Sequence, residues 1–537
     1  MFSAMRVFAV VFLLMAALAR LLNAMPAPES VAILYNSDIP ESRKLAEFYQ
    51  EQRGIPAGNL IALPMPRTQD ISRADYRKTI EAPLRAEFDR RGWWKRGKDA
   101  GGITLPVVNR IRVLVTVRGV PLRISQTPVP APAPQKPGAP PVPPANPFNG
   151  HDEASVDSEL AMFGVDGVPM EGFLQNKFYQ SKRTIQSGDF PFLILTARID
   201  SPSYETCERM IRDAVETEKT GLWGMAYVDI ANKFPQGDEW LETVVKENRK
   251  TGIPTVVDRF NDTFPKNYPL REAGVYFGWY DWSVSGPFLN PAFRFRKGAV
   301  ALHLHSFSAE QLSSADKNWS APLLVRGAAV TIGNVHEPYL HLTHDFGILH
   351  QNLLAGDCWV EACWKAMPAT SWQGVVLGDP LYRPFGHLDG GGKRLETDKD
   401  FRALRAATQR WPDDAAERRK QLDQAADRTR SGILAEAVGL DCLYDKLDAE
   451  ASNRFRAAKN LYSANEDKLR MDFHLIAIDR AAKRKDLAIR GLRDAQVRYT
   501  GIPETEALKG WLDILDPPPP PTADPTKTPA TPPVKKP

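Results

Sequence analysis

The sequence predicts an α/β fold with a mostly parallel β-sheet covered by helices on both faces, followed by an all-α C-terminal region. Two observations support this prediction. From Val31 to about Gly386, short apolar runs alternate with amphipathic helical patterns, which is typical of parallel sheets. From about Thr397 to Thr500, the strand patterns end and apolar residues recur at helical spacing among Ala, Arg, Lys, Asp and Glu.

Local patterns define the first elements. Val31 to Tyr35 is a short apolar strand, and Pro40 to Arg53 has the pattern of a helix. Ser72 and Asp75 form an approximate capping box for the next helical stretch, in which Pro83 should produce a kink or a break. Further strands are predicted at Ile111 to Val117, Phe192 to Ala197, Met225 to Asp229, Val275 to Trp279, Ala299 to His305 and Ala328 to Ile332.

The two ends of the chain differ in composition from the rest. Residues 1–24 have the order of a secretory signal peptide, with the cation Arg6 before the apolar run Val7 to Ala19 and small residues at the cleavage sites Ala19 and Ala24. We therefore expect export to the periplasm or the extracellular space. No later run is long and apolar enough to span a membrane. Residues 516–537 are a Pro-rich tail that we expect to be disordered.

Composition also indicates the domain organisation and excludes some partners. We expect an α/β domain at 25–390 with a Pro-rich insertion at 127–148, and a helical hairpin or bundle at 397–515. The chain has 69 Lys and Arg against 65 Asp and Glu, so neither nucleic acid nor an anionic membrane surface is implied as a partner. Four cysteines in a chain of this length do not indicate a disulfide framework.

Carboxylates follow several of the predicted strands. Asp200, Asp229, Asp258 and Asp281 lie at or just beyond strand ends, and Arg198 lies beside the first of them. Because the carboxyl ends of parallel strands meet at one edge of a sheet, we expect these side chains to converge on one rim. The alternative is that each Asp caps the helix that follows its strand.

A second acidic group lies after the Pro-rich insertion. Asp152, Glu153, Asp157 and Glu159 fall within eight residues, and carboxylates at this density are typical of calcium sites. The spacing is not that of an EF-hand. The alternative is an acidic first turn of a helix, which the helix dipole favours.

Six of the nine histidines lie between residues 303 and 350. His341 and His344 are three residues apart, so they would face one way on a helix, with Glu337 and Asp345 nearby. Imidazoles and carboxylates at such spacing bind zinc. No His-Glu-x-x-His motif is present, and the alternative is that these histidines satisfy local hydrogen bonds.

Several longer segments resemble an uncharacterised family of exported bacterial proteins, over roughly Val31 to Phe385. Members of that family tend to occur in bacteria with an exosortase-type protein-sorting system. The matching segments include VAILYNSDIPESRKLAEFYQEQRG, ASVDSELAMFG, LTARIDSPSYE, GVYFGWYDWSVSGPF, GAAVTIGNVHEPYL and SWQGVVLGDPLYRPF.

The order of shorter motifs resembles the gingipain branch of the caspase-like cysteine peptidases. The matching positions are Asp157-Ser158, Arg198-Ile199, Gly327 to Gly333 and Gly378 to Leu381. The resemblance implies a three-layer, caspase- or gingipain-like fold for residues 25–390. It also implies a catalytic His after one strand and a nucleophilic Cys after the next.

The sequence departs from this pattern at both catalytic positions. The segment expected to read Gly-His-Gly is Gly278-Trp279-Tyr280-Asp281, and Ser306 stands where the Cys would fall. A Ser hydroxyl depends on an adjacent base more than a thiol does, and His305 would point to the opposite face if the strand continued. We therefore expect a protein without the Cys–His pair that binds a polypeptide or a cell-surface polymer. The predicted binding residues are Asp157, Glu159, Arg198, Asp229, Trp279 and Tyr280.

Two alternatives remain open at this point. The first is a hydrolase with replaced catalytic residues, with or without a metal ion such as zinc or calcium, in which case the candidates are Asp281, His305, Ser306, His336 and Glu337. The second is a structural exported protein in which the helical C-terminal region and the Pro-rich tail bind the partner.

Overall fold

The computed structural model describes residues 26–128, 148, 150–259, 263–389 and 392–517. The predicted signal peptide at 1–24 lies outside the described residues. So do nearly all of the Pro-rich insertion and the tail from residue 518 onward.

Ten strands form two central sheets. In the first sheet the strand order is β9-β10-β4-β3-β1-β2, and only β9 runs antiparallel to its neighbour. In the second sheet the order is β6-β5-β7-β8, and all strands are parallel. A bridge between Val300 and Val330 brings β8 beside the start of β9. The strands are β1 (Val31–Asn36), β2 (Leu60–Leu63), β3 (Val113–Val117), β4 (Leu195–Ile199), β5 (Met225–Asp229), β6 (Thr255–Asp258), β7 (Ala273–Gly278), β8 (Val300–His303), β9 (Thr331–Asn334) and β10 (Gly374–Leu377).

Helices cover both faces of the sheets. On β1, Ile33 packs into one apolar cluster with residues of α1, α4 and α8, whereas its neighbour Leu34 packs into a second cluster with residues of α2 and α3. This alternation is what a strand buried on both faces requires. The helices are α1 (Pro40–Arg53), α2 (Ala82–Arg90), α3 (Val156–Leu160), α4 (Tyr204–Thr220), α5 (Pro235–Thr251), α6 (Ser320–Val325), α7 (Phe346–Leu354) and α8 (Trp359–Ala366).

The region after residue 398 is all-helical and packs on the second sheet. The ring centroids of Tyr268 and Phe473 are 4.9 Å apart. Arg249 of α5 donates a hydrogen bond of 2.7 Å to Asp441. A cavity of about 650 Å³ remains between β6 and these helices. The helices are α9 (Lys399–Arg410), α10 (Ala415–Thr429), α11 (Gly432–Tyr444), α12 (Asp448–Leu461), α13 (Asn465–Ala481), α14 (Lys485–Arg498) and α15 (Glu506–Leu515).

These features confirm the predicted fold class, an α/β unit with parallel-rich sheets followed by an all-α region. The local prediction at Pro83 is also confirmed, because a π-helical turn at Arg77–Glu81 separates α2 from the short helix Arg73–Tyr76. Ser72 caps that short helix by accepting a hydrogen bond of 3.0 Å from the Asp75 N–H. Within the described part of the chain, no helix is long and apolar enough to cross a membrane.

Candidate functional site

The residues after β7, β8 and β9 form one surface, because these strands lie side by side and end at the same edge. Tyr280 and Trp282 follow β7, His305 and Phe307 follow β8, and His336 follows β9. Phe234, from the loop after β5, lies beside them. We call these six residues the aromatic rim.

Consecutive rings of the aromatic rim are in contact. The ring centroids of Phe234 and Tyr280 are 6.0 Å apart, and those of Tyr280 and His305 are 4.7 Å apart. The row continues from His305 to Trp282 at 5.1 Å, from Trp282 to Phe307 at 5.9 Å, and from Phe307 to His336 at 4.9 Å. The side chains of Trp282 and Phe234 are 66% and 50% exposed, which is unusual for large aromatic residues.

Trp279 does not belong to this exposed row. It is buried, and its indole N–H donates a hydrogen bond of 2.8 Å to Asp238 at the start of α5. A Cβ atom on Gly237 would lie 2.2 Å from the Trp279 ring, so only glycine fits there. Trp279 therefore anchors the β7 loop to α5.

His305 is buried among the rings, and its protonation state follows from its contacts. Its Nδ1 faces the carbonyl oxygen of Ser306, which can only accept, so Nδ1 carries the proton. Burial lowers the pKa of His305, opposed by the Ser306 carbonyl and by the carboxylates of Glu337 and Asp281. The imidazole is therefore neutral at pH 7. Its Nε2 is an acceptor with no hydrogen-bond partner among the described residues.

Ser306 is paired with a carboxylate. Its hydroxyl group donates a hydrogen bond of 2.7 Å to Oε2 of Glu337, while Oε1 of Glu337 accepts one of 3.0 Å from the Tyr339 N–H. Phe307 and Tyr339, which flank this pair in the chain, have φ values of 59° and 62°. Non-glycine residues rarely adopt such values, and clusters of them occur at functional sites.

The other catalytic candidates are engaged elsewhere. A carboxylate oxygen of Asp281 accepts a hydrogen bond of 2.7 Å from the Trp282 N–H, so Asp281 caps its own turn. Nδ1 of His336 lies 3.7 Å from Glu153. Among the five predicted catalytic residues, the structure therefore joins Ser306 with Glu337 and pairs neither His305 nor His336 with the Ser306 hydroxyl.

Three predicted binding residues, Asp157, Glu159 and Arg198, take part in buried ion pairs. Arg198 and Asp157 are buried and joined by a hydrogen bond of 2.8 Å. The remaining donors of Arg198 are used by the carbonyl oxygens of Val120 and Pro121, both at 2.8 Å, and by Asp200.

Glu159 is held in the same way. Its carboxylate lies 2.7 Å from Arg73 and accepts a hydrogen bond of 2.8 Å from the Ser371 hydroxyl. Because buried charges require such partners, these contacts of Asp157, Glu159 and Arg198 stabilise the interior of the fold.

The predicted rim of carboxylates is divided between the two sheets. Asp229 and Asp258 are direct neighbours at the ends of β5 and β6, and Asp281 follows β7 in the same sheet. Asp200 follows β4 in the other sheet. Asp229 is buried and accepts a hydrogen bond of 3.0 Å from the Phe264 N–H, so it holds that segment in place.

The candidate metal ligands differ in their exposure and in their contacts. His341 is exposed, whereas His344 is buried and its pKa is lowered to about 3 by burial, so the two do not face one way as their spacing predicted. Asp152 accepts hydrogen bonds from the N–H and hydroxyl groups of Thr127. Within the described ranges, no group of three or more His, Cys, Asp or Glu residues is arranged to hold a metal ion.

Sequence reasoning missed Phe234, Lys233 and Phe307. Lys233 lies 4.9 Å from the centre of the Tyr280 ring, where a cation is attracted to the ring face. The sequence does contain a signal for Phe234. This residue directly precedes Pro235, the first residue of α5, and lies close to the end of β5.

Comparisons with known proteins assign no function to this chain, so the geometry of the aromatic rim is the evidence for one. A scan against models of protein families, a search of curated proteins and a search of solved structures each found no match.

Proposed function

We propose that this protein is exported and binds a polypeptide or a cell-envelope polymer along the aromatic rim, in the periplasm or outside the cell. The observation that carries this proposal is the row of six contacting rings from Phe234 to His336. Aromatic faces supply a large contact area with few rotatable bonds, and a row of them suits an extended chain.

The polar groups of the rim fit the same role. Tyr280 and Trp282 carry a hydroxyl and an indole N–H, Glu337 carries a carboxylate, and Nε2 of His305 offers a lone pair. Polymers with hydroxyl or amide groups present both donors and acceptors to such a surface. The resemblance to caspase-like peptidases supports a binding site at the aromatic rim. Tyr280 and His305 follow two neighbouring strands, and these are the strands after which the resemblance implies a catalytic His and Cys.

A retention experiment tests this proposal. The protein, immobilised without residues 1–24, would be exposed to carboxymethylated α-lactalbumin as an unfolded polypeptide, to peptidoglycan and to soluble dextran. We expect saturable retention of at least one probe by the wild type and its loss in Trp282→Ala. The exposed Val497→Ala variant is the matched control. Equal retention by Trp282→Ala would contradict the proposal.

A second candidate function is hydrolysis by Ser306 with Glu337 as the base. The specific observation is the hydrogen bond of 2.7 Å between them, which is the contact that an activated nucleophile needs. A fluorophosphonate probe, which reacts with activated serine hydroxyls, tests this candidate. Labelling of the wild type that is lost in both Ser306→Ala and Glu337→Gln would support it, and absence of labelling would remove it.

A further inference from the structure

A β-hairpin on the far side of the first sheet has no role in the aromatic rim. Its strands, Trp94–Lys98 and Thr104–Asn109, pair only with each other. Trp94 anchors the hairpin to the body through the rings of Phe88 and Phe163, at 4.8 and 5.1 Å.

The second strand of this hairpin and the residue before it expose aliphatic side chains. Ile103, Val107 and Val108 are 47%, 48% and 57% exposed. The described part of the chain has only eleven large apolar side chains with comparable exposure. Three of them lie within the six residues 103–108. Clustered apolar exposure of this kind marks an interaction surface.

The same hairpin is cationic. Lys95, Lys98 and Arg110 are exposed and form no ion pair within the described residues. Asp99, at the turn, accepts hydrogen bonds of 2.9 and 2.8 Å from the Gly101 and Ile103 N–H groups. The near balance of charge over the whole chain therefore does not extend to this hairpin, which attracts anionic partners.

The arrangement of these side chains indicates the class of partner. The aliphatic residues lie on or beside the second strand and the two lysines on the first, about 4.8 Å away. Val107 is the extra residue of a β-bulge, because Lys95 pairs with Val108 and Arg96 with Pro106. A Cβ atom on Gly97 would lie 3.2 Å from Val107, so Val107 lies on the face of the ribbon that carries Val108 and Lys95. The two valines therefore form one apolar patch beside a lysine. Lysines above buried aliphatic groups match anionic headgroups above acyl chains.

We propose that the hairpin Trp94–Asn109 docks the protein on the surface of an anionic phospholipid membrane. Ile103, Val107 and Val108 enter the headgroup–acyl boundary, and Lys95, Lys98 and Arg110 bind lipid phosphates. The attachment is peripheral and reversible, because a few aliphatic side chains and a few cations provide marginal membrane affinity.

Vesicle co-sedimentation tests this proposal. The whole protein without residues 1–24 would be mixed with vesicles of equal parts phosphatidylglycerol and phosphatidylcholine, and with vesicles of phosphatidylcholine alone. We expect binding to the anionic vesicles only. Lys95→Gln/Lys98→Gln should weaken this binding at least about tenfold, and ~0.5 M salt should do the same. Ile103→Ser/Val107→Ser/Val108→Ser should abolish it.

A matched variant controls for general surface polarity. Leu487→Ser/Val497→Ser/Ile514→Ser alters three exposed aliphatic residues on α14 and α15 and should bind the vesicles as the wild type does. Equal binding by the hairpin variants, or no binding to anionic vesicles, would overturn the proposal. Binding to poly-glutamate in place of vesicles would overturn it in favour of an acidic protein partner.

Discussion

The hydroxyl group of Ser306 donates a hydrogen bond of 2.7 Å to Glu337, while the adjacent imidazole of His305 directs its protonated Nδ1 to the Ser306 carbonyl oxygen. The two residues that sequence proximity suggested as nucleophile and base are thus not paired. His305 takes part in the row of rings, and its remaining nitrogen is an acceptor. This relationship is why binding, rather than cysteine-peptidase-like catalysis, is the function we propose.

The ion pair of Asp157 with Arg198 should be important for stability. We expect Asp157→Ala to lower the free energy of unfolding by about 3 kcal/mol, because it leaves the buried guanidinium with only the longer contact of 3.3 Å to Asp200. Urea unfolding followed by circular dichroism measures this change. Glu47→Ala removes the partner of Arg43 in an exposed pair and should have no measurable effect. A stable Asp157→Ala variant would show that Arg198 finds another partner or water.

The cysteines should be unreactive in the folded protein. All four are free and buried, and burial raises the pKa of Cys207 to about 12 and that of Cys442 to about 11. Because the thiolate is the reactive form, we expect almost no reaction with Ellman's reagent under native conditions. All four thiols should react in guanidinium chloride. Fewer than four after unfolding would reveal a disulfide.

Two buried histidines should make the protein sensitive to acid. Burial lowers the pKa of His344 and of His350 to about 3, whereas each takes up a proton near pH 6.5 when the chain is unfolded. Their contribution to stability is therefore complete above about pH 6.5 and is lost as the pH falls towards 3.

His350→Gln isolates this effect, since a glutamine does not titrate and can replace the hydrogen bond of 2.7 Å to Asn248. When the pH is lowered from about 7 to about 5, the free energy of unfolding should fall in both proteins. We expect this fall to be about 1–2 kcal/mol smaller in the variant than in the wild type. Urea titrations at both pH values measure this difference. His341→Gln, at an exposed position, is the control. The same pH dependence in His350→Gln and the wild type would contradict the account.

Much of the fold was predictable because local and tertiary preferences agree. Pro40–Arg53 and Met225–Asp229 have the predicted bounds. The strands β2, β6 and β10 and the hairpin Trp94–Asn109 were not predicted. The three strands are only four residues long, and the first strand of the hairpin, Trp94–Lys98, contains three cations and a glycine, so none has a clear apolar period.

The site was less predictable, because exposure and pairing depend on distant parts of the chain. The acidic residues after the Pro-rich insertion were read as a ligand group, yet Arg73 and Arg198, which pair with Glu159 and Asp157, come from other elements. The histidine spacing was read on a helix, but Leu340–Leu342 is a single 3₁₀ turn, which leaves His341 and His344 on different sides. Tyr280 was predicted as a binding residue, and it directly follows the strand predicted at Val275 to Trp279; in the structure it lies in the aromatic rim.

The affinity of the aromatic rim for its polymer tests the central proposal most directly. With the probe retained best by the wild type, isothermal titration calorimetry should show a Kd at least about tenfold weaker for Phe234→Ala/Trp282→Ala. Ser306→Ala should bind as the wild type does. Both variants should keep the unfolding midpoint of the wild type, because the first removes exposed rings and the second one hydroxyl. Unchanged affinity in Phe234→Ala/Trp282→Ala would contradict the account.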